Sequence, residues 1–357
     1  MFTVSLLFVY FSLLGYLLLI GILYYNGIRI YSPVENGKHL KHIFVLFTLL
    51  GIYGAFTGDY PHFGQILHNL QYNRRYMTHM ETIYVDIAKY VDYNYTLFRV
   101  SISILSYSLL YWILKINNCL DYRVLFFYAI FELQYAIEGR QQCSIYMFYL
   151  GVYLLLIRKH FLTGISLMAL SLIFHKSGIT ALAILPFLVF KFNKRNLWLS
   201  IIMFPFIVYI ENSLLNSYLS ESDIELAGSN YFTASDFSRT ITMKIVYVMR
   251  ILLQYSIAIW LLRKTSWKRS KTGRISAKLL YGAMYITSAL FFLNIDQLTP
   301  FDRSLRLWWI PMFVILAQTL HTHFKRNRFL INTSFLYIIF SIGYALLVYR
   351  YQPNCYV

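Results

Sequence analysis

Residues 138–177 read EGRQQCSIYMFYLGVYLLLIRKHFLTGISLMALSLIFHKS. Two apolar runs, 143–157 and 161–174, stand on either side of a short basic turn. Apolar runs of this length with a tight connection predict two antiparallel helices. Arg140, just before the first run, and His175, just after the second, are therefore expected at the same end of the helix pair.

The rest of the chain repeats this pattern of apolar runs and short polar connections. Hydrophobic residues make up 58% of the 357 residues and charged residues 13%, whereas about 25% of a soluble domain is charged. Runs of roughly 20 apolar residues with few charges are typical of transmembrane helices. We therefore predict an all-α, polytopic membrane bundle of about twelve spans in a single integral membrane domain over residues 1–357. The expected span cores are 3–25, 42–57, 96–114, 124–138, 143–157, 161–174, 178–190, 197–211, 242–262, 278–295, 306–320 and 329–349.

Lysine and arginine are concentrated in the connections that follow the odd-numbered spans. The densest run extends from Arg263 to Lys278. Short basic loops mark the cytoplasmic side of a membrane protein, so both termini are expected outside. The net charge of +17 comes from these short connections and not from a basic stripe on a polar domain, so we expect no nucleic-acid partner. These loops are suited to anionic lipid instead.

Two of the expected outer connections are long, 58–95 and 212–240. Residues 80–91 mix apolar and polar side chains at near-helical spacing, which predicts a short helix at the membrane interface. We expect the two long connections to form an extracytoplasmic cap over the active site. The sequence has no Walker A motif, G-x-G-x-x-G, H-E-x-x-H or G-x-S-x-G, so ATP-driven transport and zinc proteolysis lack support.

Candidate acidic residues lie in the first long connection, where Gly58-Asp59-Tyr60 follows the second span and Glu81 comes later. A partly desolvated carboxylate can act as a general base, so Asp59 and Glu81 are the candidate bases. The alternative interpretation is a turn followed by a solvated loop. Histidines in the same connection lack a specific ligand spacing, so we expect no metal.

Candidate phosphate-binding residues occur in three places along the chain. A guanidinium group can bind pyrophosphate through two parallel hydrogen bonds, and a helix start after His175 would also favour an anion. The alternatives are an arginine that extends to the interface, an interfacial histidine, and a structural Asp302–Arg306 pair. The candidates are Glu138, Arg140 and Gln141, then His175, then Arg303 and Arg306.

In combination, these sequences resemble the EpsG-type family of bacterial polysaccharide polymerases, the Wzy-like group, over about residues 1–350. Gly58-Asp59-Tyr60 is similar to the family's G-D-Y element, and Glu81 to its downstream acidic position. Arg140-Gln141 followed by Phe174–Ser177 is similar to its R-Q…F-H-x-S pattern. Family members often carry an arginine shortly before G-D-Y, whereas residues 53–57 contain no base; Arg74 or Arg75 is the expected substitute.

The resemblance implies an all-helical glycosyltransferase, similar to membrane (GT-C-like) glycosyltransferases, in the bacterial inner (plasma) membrane. Its donor is the growing glycan on undecaprenyl pyrophosphate, and its acceptor is one lipid-linked repeat unit, extended at the non-reducing end. Membrane lipids and a chain-length regulator protein are expected partners, with no cofactor. Arginines are expected to stabilise the leaving pyrophosphate, assisted by His175. The expected substrate- and pyrophosphate-binding residues are Tyr60, Arg74, Arg75, Glu138, Arg140, Gln141, Arg303 and Arg306.

Three other functions fit parts of the pattern. An O-antigen ligase would share outer-face arginines but carry its large outer loop late in the chain. A flippase for lipid-linked sugars would show repeated halves and charges throughout its spans, where only Glu132 and Arg250 are found. A membrane acyltransferase would need a catalytic histidine deeper in the membrane than His175.

Overall fold

The computed structural model describes residues 6–29, 37–54, 82–131, 139–175, 177–189, 241–293, 304–320 and 327–351. Within these ranges the chain is helical and has no strand, which confirms the all-α class. The α-helices are α1 Leu6–Arg29, α2 Gly37–Gly54, α3 Thr82–Tyr90, α4 Tyr95–Ile116, α5 Tyr122–Phe131, α6 Gly139–Tyr153, α7 Phe161–Phe174, α8 Ser177–Leu182, α9 Ile241–Arg263, α10 Lys271–Leu293, α11 Trp309–Thr319 and α12 Arg328–Tyr351.

Short segments of other helix types adjoin these α-helices. The π-helix Leu154–Arg158 continues α6, and the 3₁₀-helix Arg306–Trp308 leads into α11. Two more 3₁₀-helices, Leu185–Leu188 and Ser266–Arg269, lie after α8 and α9. One continuous span was expected over 178–190, but α8 ends at Leu182, shortly before Pro186. Proline lacks a backbone N–H and its ring clashes with the preceding turn, so the α-helix does not continue through it.

Several expected elements are found at the expected places, and others cannot be compared. α7 covers the expected core 161–174, and α3 is the short helix expected within 80–91. The expected span 197–211 and the long connection 212–240 lie outside the described residues. Judged on the described residues, no helix is both long enough and apolar enough to cross a membrane. The number of about twelve spans therefore stays a prediction.

Helices α5, α6 and α11 form the centre of the bundle. Every residue of α5 is buried, as are residues 141–153 of α6 and 309–316 of α11. Phe131 stacks on Trp309 with ring centroids 4.9 Å apart, and Phe131 also meets the ring of Tyr337 of α12 edge-on at 4.8 Å. Aromatic rings contribute large apolar areas and favour such offset or edge-on contacts, so they account for much of the packing between these helices.

The α6–α7 hairpin is held together by two glycines. A Cβ atom on Gly151 would lie 2.6 Å from the carbonyl oxygen of Gly164, and a Cβ atom on Gly164 would lie 2.9 Å from the carbonyl oxygen of Gly151. Any side chain at either position would force the two backbones apart. The turn between the helices uses Lys159 in the left-handed conformation, with φ of 60°.

The basic connections meet at one end of the bundle, which we call the basic end. Arg158 Nη2 donates to the carbonyl oxygen of Ile116 at 3.1 Å, and Lys271 Nζ donates to that of Leu156 at 2.6 Å. These bonds bring the last turn of α4, the end of the π-helix and the start of α10 to one level. The connections that follow expected odd-numbered spans are thus neighbours wherever the structure describes them.

Candidate functional site

Polar side chains are buried at the end of the bundle opposite the basic end. Gln141 and Gln142 lie in the first turns of α6, His175 follows α7, and Arg306 precedes α11. Their exposed fractions are 5%, 1%, 6% and 3%. Burying polar or charged groups costs free energy unless hydrogen bonds compensate. We therefore expect the surrounding helices to supply hydrogen bonds to these groups.

Ser144 of α6 ties the end of α7 to this cluster. Its Oγ donates to the carbonyl oxygen of Ser171 at 2.8 Å and lies 3.3 Å from that of His175, within hydrogen-bonding distance. The carbonyl of Ser171 also accepts from His175 N at 3.2 Å, so Ser144 adds a second donor that joins α6 to the end of α7. His175 itself is extended, with φ −163° and ψ 142°, so the chain leaves α7 abruptly there.

The start of α8 fits closely against this turn. Gly178 N donates to the carbonyl oxygen of His175 at 2.9 Å. A Cβ atom on Gly178 would lie 2.8 Å from the carbonyl oxygen of Ser171, so only glycine allows this approach. The buried imidazole is therefore presented on a tightly connected turn between two helices.

The segment that carries Arg306 is held by side chains from other helices. Tyr149 Oη of α6 donates to the carbonyl oxygen of Leu307, and Gln254 Nε2 of α9 donates to that of Leu305 at 3.1 Å. Trp308 Nε1 donates to Thr287 Oγ1 of α10 at 2.9 Å. Arg306 thus lies between two carbonyls that α6 and α9 fix in place.

Helix α6 is the common support of both parts of the site. Ser144 and Tyr149 are five residues apart, which corresponds to about 7.5 Å along the axis at 1.5 Å per residue. The His175 turn and the Arg306 segment are therefore attached to the same helix about two helical turns apart or less. Among the described site candidates, Gln141 lies in α6 itself, and α6 also holds the segments that carry His175 and Arg306.

The remaining candidates are only partly described. Arg140 occupies the first turn of α6, beside Gln141. Arg250 occupies a position in α9. The candidates outside the described residues are Asp59, Tyr60, Arg74, Arg75, Glu81, Glu132, Glu138 and Arg303.

Three polar residues of this region were missed by the sequence analysis: Ser144, Tyr149 and Gln254. Gln254 interrupts an apolar run, and a polar residue within a span is a signal for the bundle interior; Ser144 follows the polar residues 140–142, and Tyr149 is one of several tyrosines in its run. The sequence does not show which carbonyl each side chain reaches.

The described part of the site is rich in donors. A guanidinium, an imidazole and two amides can donate hydrogen bonds to an anionic group, and such bonds are stronger where water is excluded. In the described ranges, no group of three or more His, Cys, Asp or Glu residues is placed to hold a metal ion.

Comparison with known proteins gives one match. The sequence model of a protein family, described as the EpsG family, matches residues 40–357. The matched region runs from the first turn of α2 through α12 and therefore includes every residue of the proposed site. No curated protein and no solved structure matches the chain.

Proposed function

Since this chain belongs to the EpsG family, we propose that it is a polysaccharide polymerase of the bacterial plasma membrane. It moves a growing glycan from undecaprenyl pyrophosphate to the non-reducing end of an incoming lipid-linked repeat unit on the outer face. The main support is that Gln141, Gln142, His175 and Arg306 are all buried, in segments that α6 carries or holds by hydrogen bonds. A glycan transfer from a pyrophosphate needs such donors.

The transfer requires a base for the acceptor hydroxyl and stabilisation of the leaving pyrophosphate. The acceptor hydroxyl oxygen attacks the anomeric carbon, the bond from that carbon to the pyrophosphate oxygen breaks, and the lipid pyrophosphate leaves with the electron pair. The acceptor proton passes to a carboxylate, for which Asp59 and Glu81 are the candidates and Glu138 the third. A single in-line displacement inverts the anomeric carbon, and a double displacement retains it.

The leaving pyrophosphate accumulates negative charge as the bond breaks. Arg140, Arg303 and Arg306 are proposed to stabilise that charge, with Gln141 and His175 as further donors. Donors held in place before the reaction are worth more than mobile ones because no reorganisation is needed at the transition state. Tyr60, Arg74 and Arg75 are proposed to bind substrate from the cap formed by 58–95 and 212–240. This arrangement requires no metal.

The membrane location is part of the proposal and is supported by apolar faces that the bundle leaves exposed. On α1 these are residues at helical spacing on one side: Leu14, Leu17, Leu18, Ile22 and Tyr25. α7 exposes Phe161, Leu162 and Ile165, and α12 exposes Leu336 and Ile339. Large contiguous apolar surfaces are rare on soluble monomers, and lipid tails would cover them. A chain-length regulator protein is the proposed protein partner.

The test is complementation of a polymerase-deficient strain with Arg140→Ala, followed by electrophoresis of the surface glycan. Loss of a preorganised donor lowers transfer by about 10²–10³, so the ladder is expected to collapse to a single repeat unit with the protein level unchanged. Arg274→Ala, at an exposed position near the start of α10, is the matched control and keeps the ladder. A normal ladder for Arg140→Ala would remove Arg140 from the mechanism. Loss of even the single capped unit would favour a ligase or flippase.

A further inference from the structure

Three lysines at the basic end each lie against the ring of a tryptophan. Lys115 Nζ is 4.8 Å from the ring centroid of Trp112. Lys264 Nζ is 4.6 Å from that of Trp260, and Lys268 Nζ is 5.6 Å from that of Trp267. These distances are within the range of cation–π contacts. All three lysines are exposed, and Trp112 is 50% exposed.

The three pairs belong to one continuous surface. The Arg158–Ile116 bond joins the end of α4, which carries the first pair, to the end of the π-helix. The Lys271–Leu156 bond joins that same π-helix to the start of α10, just after the other two pairs. We call the three pairs, together with the exposed residues Lys159, His160, Phe161 and Leu162 between them, the lysine–tryptophan surface.

The surface combines positive charge with exposed apolar groups. Leu162 is 83% exposed and Phe161 62% exposed, directly after two basic residues. Asp121, the acidic residue that the described ranges place at this end, is already ion-paired with Arg123. Among the described residues, this surface therefore presents more positive than negative charge.

We propose that the lysine–tryptophan surface binds the phosphate headgroups of anionic phospholipids. Indole rings prefer the headgroup level of a membrane, where they present an apolar body and a polar edge. A lysine beside each ring is then placed at the height of the phosphates. Lipid is favoured over an acidic protein because its acyl chains also cover Phe161 and Leu162. The inference depends on the proposed membrane location and is independent of the polymerase activity.

Lipid-dependent quenching of tryptophan fluorescence tests this inference. The full-length protein, carrying Trp198→Phe, is reconstituted in phosphatidylcholine vesicles that contain equal fractions of brominated phosphatidylglycerol or brominated phosphatidylcholine. Trp308 and Trp309 are buried (0% and 1% exposed), so quenching reports on the exposed Trp112 and the half-buried Trp260 and Trp267. Each basic residue near an anionic surface contributes an affinity of about fivefold. We therefore expect brominated phosphatidylglycerol to quench severalfold more strongly, with the preference lost at about 1 M salt, where the Debye length is about 3 Å.

Charge removal identifies the residues that carry the preference. The fluorescence of the triple variant Lys115→Gln, Lys264→Gln, Lys268→Gln is expected to be quenched equally by both brominated lipids. Lys89→Gln, an exposed lysine of α3, is the matched control and keeps the preference. Equal quenching by the two brominated lipids in the protein with its native lysines overturns the inference. A preference for brominated phosphatidylglycerol that remains in the triple variant overturns it too. Polyglutamate that changes the fluorescence without any lipid preference would also overturn it, in favour of an acidic protein.

Glycan complementation, run on the same variants, separates the two proposals. A lipid preference in a protein that fails to build polymer contradicts the proposed function alone. A protein that builds polymer without the preference contradicts this inference alone.

Discussion

Ser144 shows how one hydroxyl group can organise a site without touching substrate. It lies within hydrogen-bonding distance of two carbonyl oxygens at the end of α7, and His175 follows directly from that end. Both carbonyls also accept from a backbone N–H, of His175 and of Gly178, so loss of the hydroxyl costs about 0.5–1.5 kcal/mol, the net value of one hydrogen bond, and that cost falls on the turn that presents the imidazole. Ser144 is therefore a positioning residue in the proposed site.

Ser144→Ala is expected to shorten the glycan ladder more than it lowers the amount of protein. The carbonyls of Ser171 and His175 lose their shared donor, so His175 is held less firmly. Ser144→Thr keeps the hydroxyl and should restore long chains. The measurement is the ladder at matched protein level. An alanine variant with full-length chains would show that Ser144 serves only the hairpin.

Tyr149→Phe removes a single hydroxyl from the other half of the site. The hydroxyl donates to the carbonyl oxygen of Leu307, next to Arg306. We expect a stability loss of about 1 kcal/mol and a lower turnover number for transfer, because the guanidinium is then less well placed. Tyr146→Phe is the matched control, since Tyr146 is equally buried but its hydroxyl makes a long contact of 3.4 Å with Tyr128. Equal activity of the two variants would contradict the positioning role.

At this scale, the sequence suggested candidate site residues but not the side chains that hold their segments in place. Gln141, His175 and Arg306 were predicted to share one end because alternating spans return polar helix ends to the same side. Ser144 and Tyr149 were not identified, because their partners, Ser171 and Leu307, are distant in sequence. The local sequence pattern does not show which distant carbonyl each of these side chains will contact.

Among the elements, the α6–α7 hairpin depends on the absence of side chains at its closest point. Gly151→Ala would place a methyl group 2.6 Å from the carbonyl oxygen of Gly164. Overpacking of this kind costs about 1–3 kcal/mol, so we expect a lower thermal midpoint in detergent. Gly21→Ala is the matched control: nothing lies within 4 Å of its Cβ position, and alanine favours a helix over glycine by about 1 kcal/mol. A Gly151→Ala protein as stable as the control would mean that the hairpin adjusts at no cost.

The connection between α4 and α5 is folded tightly around Cys119. Burial, and to a lesser extent the charge of Asp121, raises the pKa of the Cys119 thiol well above its usual range. The thiolate is the reactive form, so Cys119 should resist maleimide at pH 8 and react once the protein unfolds.

The same pKa shift gives a pH dependence. Because the folded state holds the thiol protonated, its stability contribution is complete below the unfolded pKa of about 8.5 and is lost as the pH rises above that value. Cys119→Ser should therefore unfold with a weaker dependence on alkaline pH. Rapid labelling of the folded protein at pH 8 would contradict the buried, protonated state.

Helix bounds were predicted well where the apolar run ends in charged residues. α7 has the expected limits, because the basic turn 158–160 and His175 stand on either side of it. The run 178–190 was predicted as one span because it is apolar throughout, but Pro186 ends the regular hydrogen bonding. Hydrophobicity reports on burial, and backbone chemistry decides where a helix ends.

For the molecule as a whole, the arrangement of charge separates two ends. The described basic connections gather at one end, and His175 and the first turn of α6 lie at the other. The charge pattern along the chain predicted this separation, since short basic loops recur after every second span. Which end faces the cytoplasm is a matter of membrane insertion, and it stays a prediction with the number of spans.

Cysteine labelling in spheroplasts tests the orientation. In a Cys355→Ser background, Lys89→Cys on α3 should react with a membrane-impermeant maleimide in intact spheroplasts. Lys268→Cys at the basic end should react only after permeabilisation. Both native lysines are exposed, so access to solvent within the fold is matched. The reverse pattern would invert the proposed topology and move the site to the cytoplasm.

Under the proposed function, the glycine contact between α6 and α7 has a kinetic consequence. Close backbone contact at Gly151 and Gly164 resists sliding of the hairpin, and α6 carries both supports of the proposed site, so its two halves are expected to keep a fixed separation. Growth of the polymer then depends on the lateral diffusion of lipid carriers to and from a stationary centre. Chain length then depends on the relative rates at which the next lipid carrier arrives and the last one leaves, and a more viscous bilayer slows both.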